Sequence, residues 1–386
     1  MSIVSGEKVT LLVFVASEGG SAPERLVGGA RLAAAHDLVE LGLSCPLIDR
    51  VIVATGSDDF AARVRGYDRV LVDRDRPGEP FHFGRRLLEV IETHGVRRPL
   101  YFGGAGAPLC APESLEALCG DLVDSEGTVV ANGMPNGWSA DFFGFTPPEA
   151  LRRVELPADQ DNNLPFLLTR FGGLRLETLE PAVENTFDID TPTDLAVLKL
   201  QAAARPHLRR YLDSVAIDTR RLELVMPLLI DLRTQTTLIG RVKTDIWGRA
   251  GTDIPGPKRL FVEERGMKGS SRAARGEVRS LVGYLAEAAG FERLFAYLAG
   301  MSDAVFFDTR VLFHHLRLDL RAADRFASDL GDLDAIGDPI ARSFTAAALA
   351  CAKPVILGGQ NIVAGGLWAL VQESWNRSDA GLLRAD

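Results

Sequence analysis

Short apolar runs alternate with helical segments through the first half of the chain, and this alternation most constrains the fold. The first run, Val9–Ala16, is apolar at nearly every position, as is typical of a strand buried on both faces. Further strands are predicted at 50–55, 69–72, 99–103, 127–132 and 141–145. Helical segments separate them at 30–43, from Ser57, at 84–94 and from Pro112. The pattern predicts an α/β fold with three layers, a mostly parallel sheet with helices on both faces.

The second half of the chain has a different pattern. Helical spacing dominates it, at 220–232, 272–289, 291–298, 322–330 and 338–352. The strand candidates are short and lie at 259–263, 304–308 and 354–357. In a chain of 386 residues, two domains are expected. We predict an α/β domain over residues 1–205 and a mainly helical domain over residues 206–386.

Charge and cysteine content exclude several classes of protein. A formal net charge of −9 argues against a nucleic-acid-binding protein, which usually has a basic face. The four cysteines match no zinc-binding spacing. The apolar runs are shorter than the ~20 residues that cross a bilayer, and the N-terminal segment lacks the pattern of a signal peptide. The sequence predicts a cytoplasmic protein with no nucleic-acid or membrane partner, and leaves a homodimer open.

A glycine-rich stretch follows the first predicted strand. Gly19 and Gly20 allow backbone N–H groups to approach a phosphate without a side chain in the way. The guanidinium groups of Arg25 and Arg31 supply positive charge nearby. Open α/β sheets bind ligands at the carboxyl ends of their strands, which is where this stretch is predicted. The alternative is an ordinary strand-to-helix turn over residues 17–29.

Two acidic residues precede a predicted helix start. If residues 187–190 end a strand, Asp188 and Asp190 lie on one face, because side chains two positions apart align in a strand. Two carboxylates on one face repel each other unless a cation or a donor lies between them. We predict a metal-facing role for this pair, with helix capping as the alternative. Thr191 and Asp194 are expected to form a capping box at the start of the following helix.

These stretches, together with Tyr101–Glu113, resemble the nucleotidyltransferases with a glycosyltransferase-A-type fold. The most similar group is that of molybdenum cofactor guanylyltransferase and 2-phospho-lactate guanylyltransferase, and the resemblance covers residues 8–200. It implies that the triphosphate site is formed by Gly19, Gly20, Arg25, Arg31 and Gly106. It also implies that Mg²⁺ is the cofactor. The implied catalytic residues are Arg25 and the two metal ligands, Asp188 and Asp190.

The reaction implied by the resemblance transfers a nucleoside monophosphate from a nucleoside triphosphate to a small phosphorylated acceptor. The sequence departs from the family pattern at two places. It lacks the lysine that usually follows the glycine-rich loop, where Arg31 is the nearby cation. Gly106 stands where the family has an aspartate that helps to hold the metal, and glycine has no side-chain oxygen to offer Mg²⁺. This departure implies weakened activity. The alternative is a non-catalytic protein that uses the same fold to bind a nucleotide or another ligand, or to take part in assembly.

Other residues are candidates for substrate contact. Asn132, Trp138 and Asp161 lie in predicted loops, which often carry substrate contacts. Core or partner contact is the alternative for Trp138, and a helix cap for Asp161. In the second half, Arg272 and Arg275 share one face of a predicted helix with Arg279. This stripe predicts an anion-binding face, with an ion network to nearby glutamates as the alternative.

Overall fold

A computed structural model describes residues 8–16, 19–76, 78–158 and 160–383. The backbone divides into two compact units. Unit 1 comprises residues 1–18, 31–186 and 205–208, and unit 2 comprises residues 19–30, 187–204 and 209–386. Two segments of the first half therefore belong with the second half. The domain boundary near residue 205 stays a prediction.

Unit 1 contains a seven-stranded sheet. Its strands are β1 (Val9–Val15), β2 (Ile48–Thr55), β3 (Val70–Arg74), β4 (Pro99–Gly103), β5 (Thr128–Ala131), β6 (Phe142–Thr146) and β7 (Arg175–Thr178). They lie in the order β3-β2-β1-β4-β6-β5-β7. Only β6 is antiparallel to its neighbours. The six predicted strands are confirmed, and β7 is an additional edge strand.

Helices cover both faces of this sheet. They are α1 (Ala22–Ser44), α2 (Asp58–Val64), α3 (Phe83–Thr93), α4 (Pro112–Asp124), α5 (Leu164–Arg170) and the single turn α6 (Val183–Thr186). Leu11 and Val13 of β1 pack in one core with side chains of α4. Leu12 and Phe14 of the same strand pack in a second core with α3. The predicted three-layer α/β architecture is confirmed.

The glycine-rich turn predicted over residues 17–29 is wrong over most of its length, because α1 begins at Ala22. Ser21 and Glu24 start the helix reciprocally: the Glu24 carboxylate accepts from the Ser21 N–H at 3.0 Å, and the Ser21 hydroxyl accepts from the Glu24 N–H at 3.4 Å. Gly29 lies inside the helix, where a Cβ would be 2.6 Å from the Tyr211 ring, so the close packing of Tyr211 requires glycine at this position. Residues 17 and 18 lie outside the described residues.

Unit 2 contains a second sheet. Its strands are β8 (Thr236–Gly240), β9 (Lys258–Val262), β10 (Ala304–Asp308) and β11 (Val355–Gly358). They are all parallel and lie in the order β11-β10-β8-β9. Three of these strands match the predicted candidates. β8 was missed because its sequence begins with two threonines and has only two large apolar residues, Leu238 and Ile239.

Helices make up most of unit 2, as predicted. They are α7 (Pro192–Leu200), α8 (Pro206–Ser214, which starts in unit 1), α9 (Arg220–Leu229), α10 (Thr244–Asp253), α11 (Leu281–Ala289), α12 (Phe291–Met301), α13 (Arg310–His315), α14 (Ala322–Leu330), α15 (Pro339–Leu349) and α16 (Gly365–Asp379). Phe344 of α15 lies at the centre of an aromatic cluster on the sheet, against Phe307 of β10. Among the described residues, no helix is long and apolar enough to cross a bilayer.

The helix predicted over residues 272–289 begins only at Leu281, where Ser280 caps α11. Residues 267–276 form successive turns instead. Ser271 (φ 57°) and Gly276 (φ 64°) have left-handed backbone conformations, which interrupt a right-handed helix. The predicted shared helix face of Arg272 and Arg275 is therefore absent.

Candidate functional site

A cavity of about 420 Å³ opens in unit 1 at the carboxyl ends of β1, β2 and β3. β2 and β3 extend the sheet on one side of β1. The later strands, from β4 onward, extend it on the other side, so the strand order reverses direction between β1 and β4. Ligands of open α/β sheets bind at such a switch point, in the crevice beyond the carboxyl ends of the strands. The cavity is therefore at the position where this architecture is expected to bind a ligand.

Aromatic side chains form one wall of the cavity. Phe14, Phe83 and Tyr101 line it and contact each other edge to face, with ring centroids 5.1–6.0 Å apart. Asp75 and Asp161 supply carboxylates at the same cavity. A mostly apolar cavity with a few polar groups is typical of a small-molecule site. The sequence analysis missed all three aromatic residues, although two of them lie in predicted strands.

Asp161 is the predicted substrate contact that lies in this cavity. Its carboxylate accepts a hydrogen bond of 2.6 Å from the Tyr101 hydroxyl. Burial is the main cause that raises the pKa of Asp161 to about 6; the Tyr101 hydrogen bond opposes this shift, and the nearby charge of Asp141 contributes to it. A buried carboxylate with a raised pKa in a cleft is characteristic of functional sites.

Asn132 and Trp138 lie elsewhere in unit 1. Asn132 is buried, and its Nδ2 donates to the Asp141 carboxylate at 3.1 Å and to the Asn185 carbonyl at 2.8 Å. Its Oδ1 accepts from the Asp141 N–H at 2.7 Å. Trp138 packs on Phe166 with ring centroids 5.2 Å apart. These contacts favour structural roles, and substrate contact by either residue stays a prediction.

Gly106 lies in the turn after β4. Its N–H donates to the Gly103 carbonyl at 2.8 Å. A Cβ at position 106 would lie 3.2 Å from the Gly103 carbonyl oxygen and 3.4 Å from that of Asp141. This close packing gives a local reason for glycine at position 106.

The other residues of the predicted triphosphate site are divided between the units. Gly19, Gly20 and Arg25 belong to unit 2, and Arg31 belongs to unit 1. The Arg25 guanidinium is exposed and donates to the Gly20 carbonyl at 2.5 Å. The Arg25 side chain therefore binds the backbone of the turn that precedes α1. Phosphate binding by these residues stays a prediction.

The predicted strand through Asp188 and Asp190 is wrong, since the segment has only a single bridge at Asp188. The Asp188 carboxylate accepts from Asn361 Nδ2 at 2.7 Å. Asp190 is exposed, and its N–H donates to the Asp194 carboxylate at 2.9 Å. The predicted capping box of Thr191 and Asp194 is confirmed. Burial and the charge of Asp190 raise the pKa of Asp194 to about 7.

The arginines after β9 form an ion network. Arg272 pairs with Glu264 at 2.9 Å, and Arg275 pairs with Glu277 at 2.7 Å. The four side chains are between about one quarter and one half exposed. This is the alternative that the sequence left open, and it opposes an anion-binding stripe. Anion binding by Arg272 or Arg275 stays a prediction, although the helix on which that prediction was based is absent.

Three metal-ligand side chains meet in unit 1, where nitrogen or oxygen atoms of His36, Glu40 and His207 lie within 4.8 Å of one another. The two imidazole rings are stacked, with centroids 3.7 Å apart and planes inclined by 19°. Nearly parallel rings at this spacing cannot both direct a lone pair at one ion about 2.1 Å away. Tyr67 instead donates to Glu40 at 2.6 Å, and Glu40 also bonds His207 at 3.0 Å. The arrangement fits a hydrogen-bond network better than a metal site.

Replacing Tyr67 by Phe removes the hydroxyl that links His36 to Glu40. We expect the free energy of unfolding to fall by about 1 kcal/mol or more, because the hydrogen bonds of this hydroxyl to Glu40 and His36 are lost at a half-buried position. Urea denaturation measures the change. The Tyr297→Phe variant is the control, since that tyrosine is exposed on α12. Equal stabilities of the two variants would contradict the linking role.

Comparisons with known proteins find similarity only at the level of structure. No known protein family and no curated protein matches the chain. A nucleotidyl transferase from a Methanothermobacter species is 18% identical, with a TM-score of 0.40, and covers 54% of this chain and 100% of its own. A cytidylyltransferase from Leptospira borgpetersenii is 15% identical, with a TM-score of 0.38, and covers 54% and 93%.

A third similar structure is 4-diphosphocytidyl-2C-methyl-D-erythritol synthase from Anaerococcus prevotii. It is 14% identical, with a TM-score of 0.35, and covers 49% of this chain and 94% of its own. All three similarities extend over about half of the chain and have TM-scores below 0.5. The fold assignment of unit 1 therefore depends on the sheet order and the two cores described above.

Proposed function

We propose that this chain is a nucleotidyltransferase-like protein that binds a nucleoside triphosphate through the cavity of unit 1. The observation that carries the proposal is the position of this cavity at the switch point between β1 and β4. The aromatic wall of Phe14, Phe83 and Tyr101 offers edges and faces to a base. The carboxylates of Asp75 and Asp161 can accept hydrogen bonds from its N–H groups.

The proposed reaction is nucleotidyl transfer. A phosphate oxygen of a small acceptor attacks the α-phosphorus of the triphosphate, the bond to the β-phosphate oxygen breaks, and pyrophosphate leaves. Such reactions require the protein mainly to position the partners and neutralise charge. Arg25 is exposed at the start of α1 and belongs to unit 2, and phosphate contact by this residue stays a prediction. Its guanidinium keeps donors beyond the one that binds Gly20.

Mg²⁺ is part of the proposal. Mg²⁺ normally takes one or two carboxylates and completes its shell with phosphate oxygens and water. Asp188 and Asp190 provide two carboxylates, of which that of Asp190 is exposed. Both residues belong to unit 2, and they are the ones that would hold the ion. When bound, the ion would supply charge neutralisation at the phosphates.

A non-catalytic ligand-binding role is the second candidate. It is favoured by the close packing around Gly106, where a larger side chain would meet two carbonyl oxygens. A protein of this kind would bind the nucleotide without forming pyrophosphate. The release of pyrophosphate in the presence of phosphorylated acceptors distinguishes the two roles.

Isothermal titration calorimetry with ATP, CTP, GTP and UTP, each with and without Mg²⁺, tests nucleotide binding. We expect at least one of them to bind the wild-type chain. The Gly56→Leu variant places a side chain in the cavity, where only Asp75 lies within 4 Å of the new Cβ. We expect it to weaken binding by at least about tenfold, or 1.4 kcal/mol.

The matched control is Gly66→Leu, because nothing lies within 4 Å of a Cβ at that exposed position. It should bind the nucleotide as the wild type does. Absence of binding by all four nucleotides, or equal binding by both leucine variants, would overturn the proposal. Asp190→Asn tests the metal separately, since loss of a ligand should reduce only the Mg²⁺-dependent part of the binding.

A further inference from the structure

The polar side chains of the unit 1 cavity are mainly hydrogen-bond acceptors. Asp75, Gln160 and Asp161 line it. An ionised carboxylate only accepts hydrogen bonds, whereas the glutamine amide both donates and accepts. Among the described residues that line the cavity there is no lysine, arginine or histidine. These side chains therefore complement a ligand group that donates hydrogen bonds.

The Tyr101 hydroxyl is a second side-chain donor at the cavity, and its proton is already used. It donates to Asp161 Oδ2 at 2.6 Å, and a phenol has only one O–H to donate. To donate to a carbonyl oxygen of a ligand, this hydroxyl would have to give up a hydrogen bond to a carboxylate, which is stronger than one between neutral groups. Tyr101 therefore holds Asp161 in place and does not offset its acceptor character.

The two oxygens of the Asp75 carboxylate have different surroundings. Oδ1 accepts from Nε of the buried Arg86 at 3.0 Å, which fixes the orientation of the carboxylate. Oδ2 is on the side of Gly56, where it would lie 3.4 Å from an added Cβ, and Gly56 also lines the cavity. Asp75 Oδ2 therefore borders the cavity as an acceptor whose position is set by Arg86.

These acceptors distinguish one nucleotide base from another, whereas the aromatic wall does not. Stacking on an aromatic side chain tolerates every base, because every base has a π face. The edges of the bases differ: adenine, cytosine and guanine each carry an exocyclic amino group, whereas uracil, like thymine, has carbonyl oxygens in the corresponding places. A carbonyl oxygen placed against Asp75 or Asp161 would leave two acceptors facing each other without a proton between them.

We propose that Asp75 and Asp161 select a nucleotide whose base bears an exocyclic amino group and exclude uracil from the unit 1 cavity. A site whose polar groups are placed for an N–H of the ligand rejects an analogue without that group, because the site's own buried polar groups are then left unpaired. This inference rests on the nucleotide binding proposed above, and it adds the residues that choose the base.

Calorimetric titration of the full chain with Mg²⁺ tests the selection with nucleotides that differ at the amino position. The pH is 8, above the pKa of about 6 to which burial raises Asp161, so that this carboxylate is ionised. CTP is compared with UTP, and ATP and GTP are each compared with ITP. We expect the tightest of CTP, ATP and GTP to bind at least about tenfold more tightly than its counterpart without the amino group.

Two variants test the residues. Asp161→Asn and Asp75→Asn each replace a carboxylate by an amide, which can donate to a carbonyl oxygen. We expect at least one of them to reduce the preference to about threefold or less. Asp75→Asn keeps an oxygen for Arg86, so it decides the matter if Asp161→Asn does not fold. Asp68→Asn is the matched control, since that carboxylate is exposed, and it should keep the preference of the wild type.

The outcomes separate this inference from the proposed function. Equal binding within each pair of nucleotides, or UTP as the tightest ligand, would overturn the selection and leave nucleotide binding in place. An unchanged preference in both carboxylate variants would also overturn it. Absence of binding by every nucleotide would instead overturn the proposed function, and this inference with it.

Discussion

In the Asp329→Asn variant, we expect the free energy of unfolding to fall by about 3–5 kcal/mol, because the buried Arg310 loses the carboxylate with which it forms an ion pair. The Asp329 side chain is fully buried and accepts from Arg310 at 2.6 and 3.1 Å. Asparagine has the same shape but no charge, so the buried guanidinium keeps its desolvation cost without the compensating attraction.

Urea denaturation followed by circular dichroism measures the Asp329→Asn effect. Asp319→Asn is the control, since Asp319 is exposed before α14 and its substitution should change stability by less than about 0.5 kcal/mol. Equal stability of the two variants would show that the Arg310–Asp329 pair does not stabilise unit 2.

The Asp161→Asn variant is expected to be more stable than the wild type above pH 6, by about 1–3 kcal/mol. The pKa of Asp161 is raised from its usual 3.8 to about 6, first by burial. Between these two pH values the folded chain binds more protons than the unfolded chain, so the contribution of Asp161 to stability falls as the pH rises. Asparagine does not ionise, so the variant does not lose stability as the pH rises. Its side-chain oxygen can still accept the hydrogen bond from the Tyr101 hydroxyl.

Denaturation of the wild type and of Asp161→Asn between pH 3.5 and pH 8 measures this difference. The two proteins should be closest in stability at the acidic end and should diverge through about pH 4–6. Asp68→Asn, at an exposed position, should follow the wild type throughout. A constant difference at all pH values would show that the Asp161 carboxyl is not held in an unfavourable environment.

A carboxylate that lowers stability at neutral pH needs another reason to be present. Asp161 lies in the cavity, hydrogen-bonded to Tyr101, and ligand binding is the reason that the surroundings favour. Asn132 shows the opposite case, since the amide that resembled a substrate contact has its hydrogen bonds within the fold. The contacts of a polar loop residue, and not its residue type, therefore distinguish a candidate for ligand binding from a structural residue.

The fold of unit 1 was predictable because its strands are buried on both faces. Val9–Val15 is buried throughout. A strand covered on both faces has apolar residues at nearly every position, so the sequence alone indicates that this strand is central in the sheet. The capping box at Thr191 was predictable for a similar reason, since helix capping depends on residues three positions apart. Such local signals do not depend on the rest of the chain.

The failures arise where distant parts of the chain determine the outcome. The glycines of α1 look like a turn in the sequence, but Gly29 is needed inside the helix because the distant residue Tyr211 packs closely against it. The cavity wall joins Phe14, Phe83 and Tyr101 from three separate segments, and no spacing connects them.

The most direct test is a crystal structure of the chain with the nucleoside triphosphate that binds best. We expect the base to lie in the unit 1 cavity, against the rings of Phe83 and Tyr101, with a base N–H within hydrogen-bond distance of Asp75 or Asp161. A bound nucleotide whose base lies outside this cavity would contradict the proposed nucleotide site.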